Sequence, residues 1–379
     1  VIIEAFLRWA ETAKAESRTR AANALGRAYL QSEMPEEERA AAEMAMTYLL
    51  DDPSPRVRLA LAEAVAHSAG APRNVILSLA EDQPEIAGQI ILFSPVFTDA
   101  DLVDLALRGS DVTRVLIASR GEVPCAVCAA LAEMGGEVEI LCLLENDGAL
   151  LSQASLKRIA ERMGDCADIR GLLLSRDILS VDIRHLLMRH VSEALSESPL
   201  VQSFVGSSRL QQVTREATES ATVAIAGTAQ HEQLPDFVEH LRRSGWLTPA
   251  FLMHALCSGK VDFFACAITN LSGCDERRVR SIVSRGRVHA LRALYESAGL
   301  RRDISTIFVE ATVIWRESSR RNGMAMLEDV SSRLMRKFRL AEPRPVAATQ
   351  LLDMVEKLAN AEKRQTARSF AALATLAAA

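Results

Sequence analysis

The sequence predicts an all-α protein: a stack of short helical hairpins followed by a helical C-terminal domain. Three observations predict it. Alanine is about 15% and leucine about 12% of the 379 residues while aromatics are 4%, an excess of strong helix formers over strand formers. Glycine (18) and proline (12) are too few for a many-turned β-sandwich. Finally, a unit of helix, turn, helix, turn recurs about every 27 residues.

The repeat is marked by apolar runs that end in a polar residue. These endings fall at His67, Ser94, Arg120, Asn146 and Arg176, spaced 27, 26, 26 and 30 apart. A helix start follows each, at Pro72, Asp99, Pro124, Ser152 and Ser180, residues suited to N-cap or first-turn positions. Within each unit a polar joint separates the two helices: Glu81–Pro84, Gly109–Asp111, Gly135–Gly136 and Gly164–Asp165. One such hairpin cannot bury both of its helices, so neighbours must share a core.

Ahead of the first marked unit, Pro35 opens a helix with Glu36, Glu37 and Glu38 in its first turn, as the helix macrodipole favours. The segment Asp51-Asp52-Pro53-Ser54-Pro55-Arg56-Val57-Arg58 then resembles the opening of the second helix in HEAT-type repeats. Asp168–Arg170 and Asp182–Arg184 echo it. The expectation is a HEAT-like α-solenoid over 1–200. The period fades between Ser196 and Gly206, where Pro199 and paired serines mark a boundary. A helical C-terminal domain is expected over 207–340. Its helices fall at Leu234–Arg243, Pro249–Ser258, Val261–Leu271, Glu276–Arg285, Val288–Ala298, Ile304–Arg320 and Met324–Phe338, with Gly245, Gly259, Gly273, Gly286, Gly299 and Gly323 between them as C-terminal caps. Glu342-Pro343-Arg344-Pro345 reads as a linker. Residues 345–379 read as an Ala-rich tail helix with a stripe of Leu351, Leu352, Val355, Leu358 and Ala359.

Several segments carry a resemblance to a family of uncharacterised alphaproteobacterial proteins with HEAT-like helical repeats, a domain of unknown function. They are Ile117–Arg120, Leu143–Ala149, Leu172–Leu179, Val191–Leu195, Gly245–Thr248, Leu256–Ala267, Arg278–Arg280 and Ala293–Leu300. The resemblance implies helical structure and a bacterial cytoplasmic setting, and brings no activity with it. Arg120-Gly121-Glu122-Val123-Pro124 departs from the more polar, Ser-containing turn expected there.

Whole classes are excluded. No stretch reaches the roughly 18–20 uninterrupted apolar residues of a membrane span, and the longest run, Ile86–Phe97, is broken by Gln89 and Pro95. Val1–Trp9 carries Glu4 and Arg8 and does not read as a secretory signal. Seven scattered cysteines are no disulfide framework in a chain of this length, which points to a reducing, cytoplasmic location. HExxH, Gly-x-Ser-x-Gly and Walker motifs are absent, so no catalytic residue, metal site or cofactor is expected.

The remaining candidates each have two readings. Cys125-Ala-Val-Cys128 lies at a helix start, where the macrodipole favours thiolates: it is either a pair of core residues or a thiol-redox pair. His185 and His190 are five apart and face different directions. Asp101 and Asp104 read as a solvated helix face or as paired carboxylates. Arg120, Asn146 and Arg176 recur at one place in successive repeats. As a ladder they either satisfy carbonyls at helix C-termini or form an edge that grips a carboxylate or phosphate.

Charge is polarised. Residues 275–339 hold fifteen Arg and Lys against eight Asp and Glu, a net of +7, whereas the whole chain is −5. Arg277, Arg278, Arg280, Arg285 and Arg287 are dense, as are Arg316, Arg320 and Arg321: a solvated face, an internal dock for acidic surface, or an anion-binding site. The near absence of aromatics there and a pI of 5.9 disfavour a general nucleic-acid binder. The expected function is a non-catalytic, protein-binding adaptor or regulatory scaffold, its partner another protein. The alternatives are a binder of an anionic ligand (nucleotide second messenger or nucleic acid) and a thiol-redox protein.

Overall fold

The computed structural model describes residues 2–176, 179–320, 330–338 and 345–377. Arg321, Gly323, the expected helix start at Met324 and Glu342–Arg344 lie outside them, as does the Arg320 side chain. The chain is all-α and divides into two units, Val1–Leu179 and Ser180–Ala379.

The first unit comprises α1 (Ile2–Thr12), α2 (Ala15–Gln31), α3 (Glu36–Leu50), α4 (Pro55–Val65), α5 (Arg73–Ala80), α6 (Pro84–Phe93), α7 (Asp99–Arg108), α8 (Asp111–Ala118), α9 (Cys125–Met134), α10 (Glu137–Glu145), α11 (Gln153–Met163) and α12 (Ala167–Leu174). Local chemistry sets these boundaries. Pro55 and Pro84 occupy the first turns of α4 and α6, where a missing N–H costs nothing. Thr98 and Asp101 form a reciprocal capping box at the start of α7, and Ser110 and Ser152 cap α8 and α11 through their hydroxyls. The five expected helix starts are N-caps or first residues of α5, α7, α9, α11 and α13 (Val181–Glu197).

The even-numbered helices α2 to α12 pack each on the next, while α1, α3 and α5 form one part of the odd-numbered row and α7, α9 and α11 another. Fully buried Leu61, Ile90, Ile117, Leu143 and Leu173 run through the even row. Truncating any of them to Ala costs about 2–5 kcal/mol. One β-bridge, Val123 with Ala149, ties the loop after α8 to the loop after α10. The backbones meet so closely there that a Cβ on Gly148 would lie 1.9 Å from the Gly121 carbonyl oxygen.

The second unit starts earlier than expected, at Ser180 rather than near residue 200. The reason is that α13 packs against α15 (Ser207–Thr228) and α16 (Leu234–Arg243). The short α14 (Pro199–Phe204) occupies the expected boundary. There follow α17 (Pro249–Cys257), α18 (Val261–Ser272), α19 (Glu276–Arg285), α20 (Val288–Ser297), α21 (Arg302–Arg320), α22 (Val330–Phe338) and α23 (Val346–Ala377). Gly245, Gly259, Gly273 and Gly299 take φ of 65–84° at helix ends, which favours glycine. Gly286 differs, with φ of −63°. Phe237, Phe251, Phe263, Phe264, Tyr295 and Phe308 make an aromatic core, with Phe251 and Phe263 edge to face at 5.8 Å. The expected tail is part of this unit: Leu351, Leu352, Val355 and Ala359 are buried where α23 meets α17, α21 and α22. Among the described residues no helix is long and apolar enough to cross a membrane.

Candidate functional site

The ladder residues come first because their partners decide their role. Arg120 follows α8 and reaches back to the end of α6, donating to the carbonyls of Ile91 and of Ser94 (3.0 Å). Asn146 follows α10 and donates through Nδ2 to the carbonyls of Ala118 and Arg120, both at 2.7 Å. Its Oδ1 accepts from the Gly148 N–H at 2.8 Å. Arg176 follows α12 and donates to the Leu144 carbonyl at 2.8 Å. Each side chain thus satisfies carbonyls that the preceding hairpin leaves unpaired at a helix C-terminus. Of the two readings of this edge, the geometry favours the satisfied carbonyls over the anion grip, because these donors face backbone.

A second arginine row was not read as a row from the sequence, although Arg58 and Arg170 close the segments that resemble HEAT-type helix openings. Arg18, Arg58, Arg114 and Arg170 stand at the fourth position of α2, α4, α8 and α12. Each donates to carbonyls at the end of its own hairpin's first helix or in the joint beyond it: Ala13, Asp52, Gly109 and Gly164. Arg18 also grips Asp52 with two donors (2.6 and 3.0 Å), Arg58 grips Asp82 likewise (2.6 and 2.9 Å), and Arg114 meets Glu139 at 3.2 Å. Burial pushes the Asp52 and Asp82 carboxyls up, but their arginine and backbone hydrogen bonds leave both below the ordinary value. The available signal was arginine's excess over lysine, roughly six to one, since only a guanidinium fork serves a carbonyl and a carboxylate together.

The CxxC pair is split by its helix. Cys125 is exposed, whereas Cys128 is buried with its Sγ donating to the Val123 carbonyl at 3.4 Å. Burial pushes the Cys128 thiol up to about 11, opposite to what a redox thiolate needs. Asp101 and Asp104 do not pair as carboxylates: Asp101 meets Arg73 at 2.5 Å and Asp104 meets Arg108 at 3.0 Å.

In the second unit a cavity of about 560 Å³ lies between α13, α14, α15 and the turn into α17, within the range of small-ligand pockets. Most of its lining side chains are polar or charged. Ser192 and Thr218 share a hydrogen bond of 2.7 Å across it, and the rim carries the pairs Arg189–Glu193 (3.1 Å) and Arg215–Glu219 (3.3 Å). Trp246 is its one aromatic wall residue and stands edge-on to fully buried His185 at 5.4 Å. His185 Nδ1 lies 3.1 Å from His240 Nε2, and burial pushes the His185 ring down to about 3, so it stays neutral. Two segments of the family resemblance, Val191–Leu195 and Gly245–Thr248, supply residues to this cavity.

Above it, α14 is inverted. None of its side chains is buried; Gln202 lines the cavity and donates to the Ser196 carbonyl at 2.7 Å. Leu200 and Phe204, two positions either side, are 70% and 83% exposed. The short helix thus presents a leucine and a phenylalanine outward.

The arginines after residue 275 separate into two sets. Arg280 pairs with Asp262 (2.7 Å) and Glu276 (2.8 Å), while Arg316 donates to the carbonyls of Val283 (2.7 Å) and Gly286 (2.8 Å) at the end of α19. Arg277, Arg278, Arg285 and Arg287 are exposed.

This architecture defines a protein of stacked helical hairpins joined to a helical C-terminal unit that carries an exposed apolar helix, a polar cavity and a basic face. The chain belongs to the family described as "Uncharacterised protein conserved in bacteria" (DUF2336), whose profile matches residues 86–348. That span takes in the cavity, α14 and α19. Searches of curated proteins and of solved structures found no match.

Proposed function

We propose that the protein is a non-catalytic, protein-binding adaptor or regulatory scaffold of an alphaproteobacterial cytoplasm, with HEAT-like repeats in its first unit and α14 as a docking element. The observation that carries this reading is the outward placement of Leu200 and Phe204 on a helix with no buried side chain. Covering both contributes about 3–5 kcal/mol at the usual coefficient for apolar area. That suits a modest, reversible contact, because association also costs rotational and translational freedom. Arginines held by backbone carbonyls in the first unit fit a rigid support. The polar cavity beneath α14 gives the docking helix a wettable underside. No cofactor is required.

The test places a photo-crosslinking amino acid at Phe204 in the native host, with Gln212 as an exposed control. The expected result is a discrete adduct with one or a few proteins, lost when Leu200→Asp is added. An adduct pattern identical at both positions would count decisively against the reading.

A further inference from the structure

The basic face of α19 has a geometry of its own. Its buried side is formed by Val279 and Val283, and Arg277, Arg278 and Arg285 project from the opposite side, with Arg287 just beyond the helix. None of these four guanidinium groups has a hydrogen-bond or ion-pair partner among the described residues. The nearby acids are engaged otherwise: Asp275 caps α19 by accepting from the Arg278 N–H (3.1 Å), and Glu276 and Asp262 both hold Arg280. At physiological salt, charges more than about 8 Å away are largely screened, so this local surplus is what a partner meets despite the net charge of −5.

Spacing narrows the partner. Arg278 and Arg285 are seven residues apart, two turns, so they lie in one stripe about 10.5 Å long. A second helix laid alongside has the same rise, and carboxylates seven residues apart on it fall in register with both guanidinium forks. The exposed side of α19 carries no aromatic, Asn or Gln. With no aromatic platform there, a nucleic acid is left with phosphate contacts and the stacking or guanine contacts that the arginines themselves make, whereas carboxylates a heptad apart on a helix meet both guanidinium forks at once.

We propose that the exposed face of α19 docks an acidic helical segment of a partner protein, its carboxylates a heptad apart registering on Arg278 and Arg285 with Arg277 and Arg287 flanking. The protein-binding reading is assumed here, but α14 takes no part.

The test uses the full chain and fluorescein-labelled 21-residue Ala-based helical peptides. One carries Glu at heptad spacing; the other carries the same residues at five-residue spacing. Binding is read by anisotropy at 50 mM NaCl. The heptad peptide should bind at least about fivefold tighter than its isomer and lose about tenfold by 300 mM. Arg278→Gln/Arg285→Gln should lose at least about tenfold, and Arg278→Lys/Arg285→Lys should fall between, because charge remains and the fork does not. Circular dichroism checks that these exposed variants fold. Phe204→Glu should bind the peptide normally, so failure here and failure of the α14 reading are distinguishable. Equal binding of the two peptides, no binding at 50 mM, indifference to the double variant, or tighter binding of a 20-nucleotide DNA would each overturn the proposal.

Discussion

Asn146 offers the sharpest check on how the hairpins are held together. It makes three hydrogen bonds: two from Nδ2 to the carbonyls of Ala118 and Arg120, and one at Oδ1 from the Gly148 N–H. At about 1 kcal/mol net each, Asn146→Ala should cost about 3 kcal/mol. For a unit of this size that corresponds to a fall of roughly 6–12 °C in the melting temperature. Asn146→Asp separates the two roles, since a carboxylate still accepts from Gly148 but has no proton for either carbonyl. With two of the three hydrogen bonds gone, it should cost about two thirds as much as Asn146→Ala, about 2 kcal/mol, or more. The exposed neighbour supplies the control, with Asp147→Ala staying within about 0.5 kcal/mol. The assay is urea unfolding of the full chain, with hydrogen exchange of peptides covering α8 to α10 to localise the loss. If Asn146→Ala stays within about 0.5 kcal/mol, or Asn146→Asp keeps parental stability, the ladder does not lock the hairpins.

Two further outcomes follow from the site chemistry. The Arg73 hydrogen bond, with those from Thr98, holds the Asp101 carboxyl at about 2. A carboxylate depressed in the folded state stabilises above its unfolded value of about 3.9, and that contribution is lost as pH falls through the folded value. The urea midpoint should drop between pH 4 and 2, and Arg73→Ala should flatten that part of the profile; parallel profiles would refute the assignment. For the thiols, a maleimide should label exposed Cys125 in the folded protein and reach buried Cys128 only on unfolding. Labelling of Cys128 at the rate of Cys125, read by peptide mass spectrometry, would revive the redox reading.

What the sequence disclosed and what it hid divide by range. Helix ends are local chemistry: Thr98 reads three residues ahead to Asp101, and Ser152 to Ser155, so the hairpin joints were visible. The affiliation of α13 depends on α15 and α16, which lie beyond a Pro- and Ser-rich stretch that itself looks like a boundary. Arg18 and Arg58 find carboxylates 34 and 24 residues on, and no short motif encodes that pairing. The ladder positions were found from the period, but their role was not, because a recurring Arg or Asn looks the same whether it faces a carbonyl or a ligand. The cavity joins residues from Arg189 to Thr248 on three helices and a turn. Phe204 reads as an ordinary core residue until its exposure is known.

The arginine excess then becomes a means of sorting function from structure. Among the described residues, arginines such as Arg18, Arg58, Arg114, Arg120, Arg162, Arg170, Arg176 and Arg316 donate to backbone carbonyls. In a fold made of many short helices, unpaired C-terminal carbonyls recur at every joint, and a planar fork on a long stem can serve two of them at once. Helix ends thus account for a share of the arginine excess before any ligand is invoked. Exposed arginines outside that account, such as Arg27, Arg56 and Arg209, stand singly over much of the chain. On α19 they gather on one side, and the helix's own C-terminal carbonyls are already taken by Arg316. The surroundings of Arg277, Arg278 and Arg285 therefore give them no structural duty, whereas a carboxylate-bearing helix supplies one. The same sorting removes Arg120 and Arg176 from the ligand-binding candidates and leaves α19 among them.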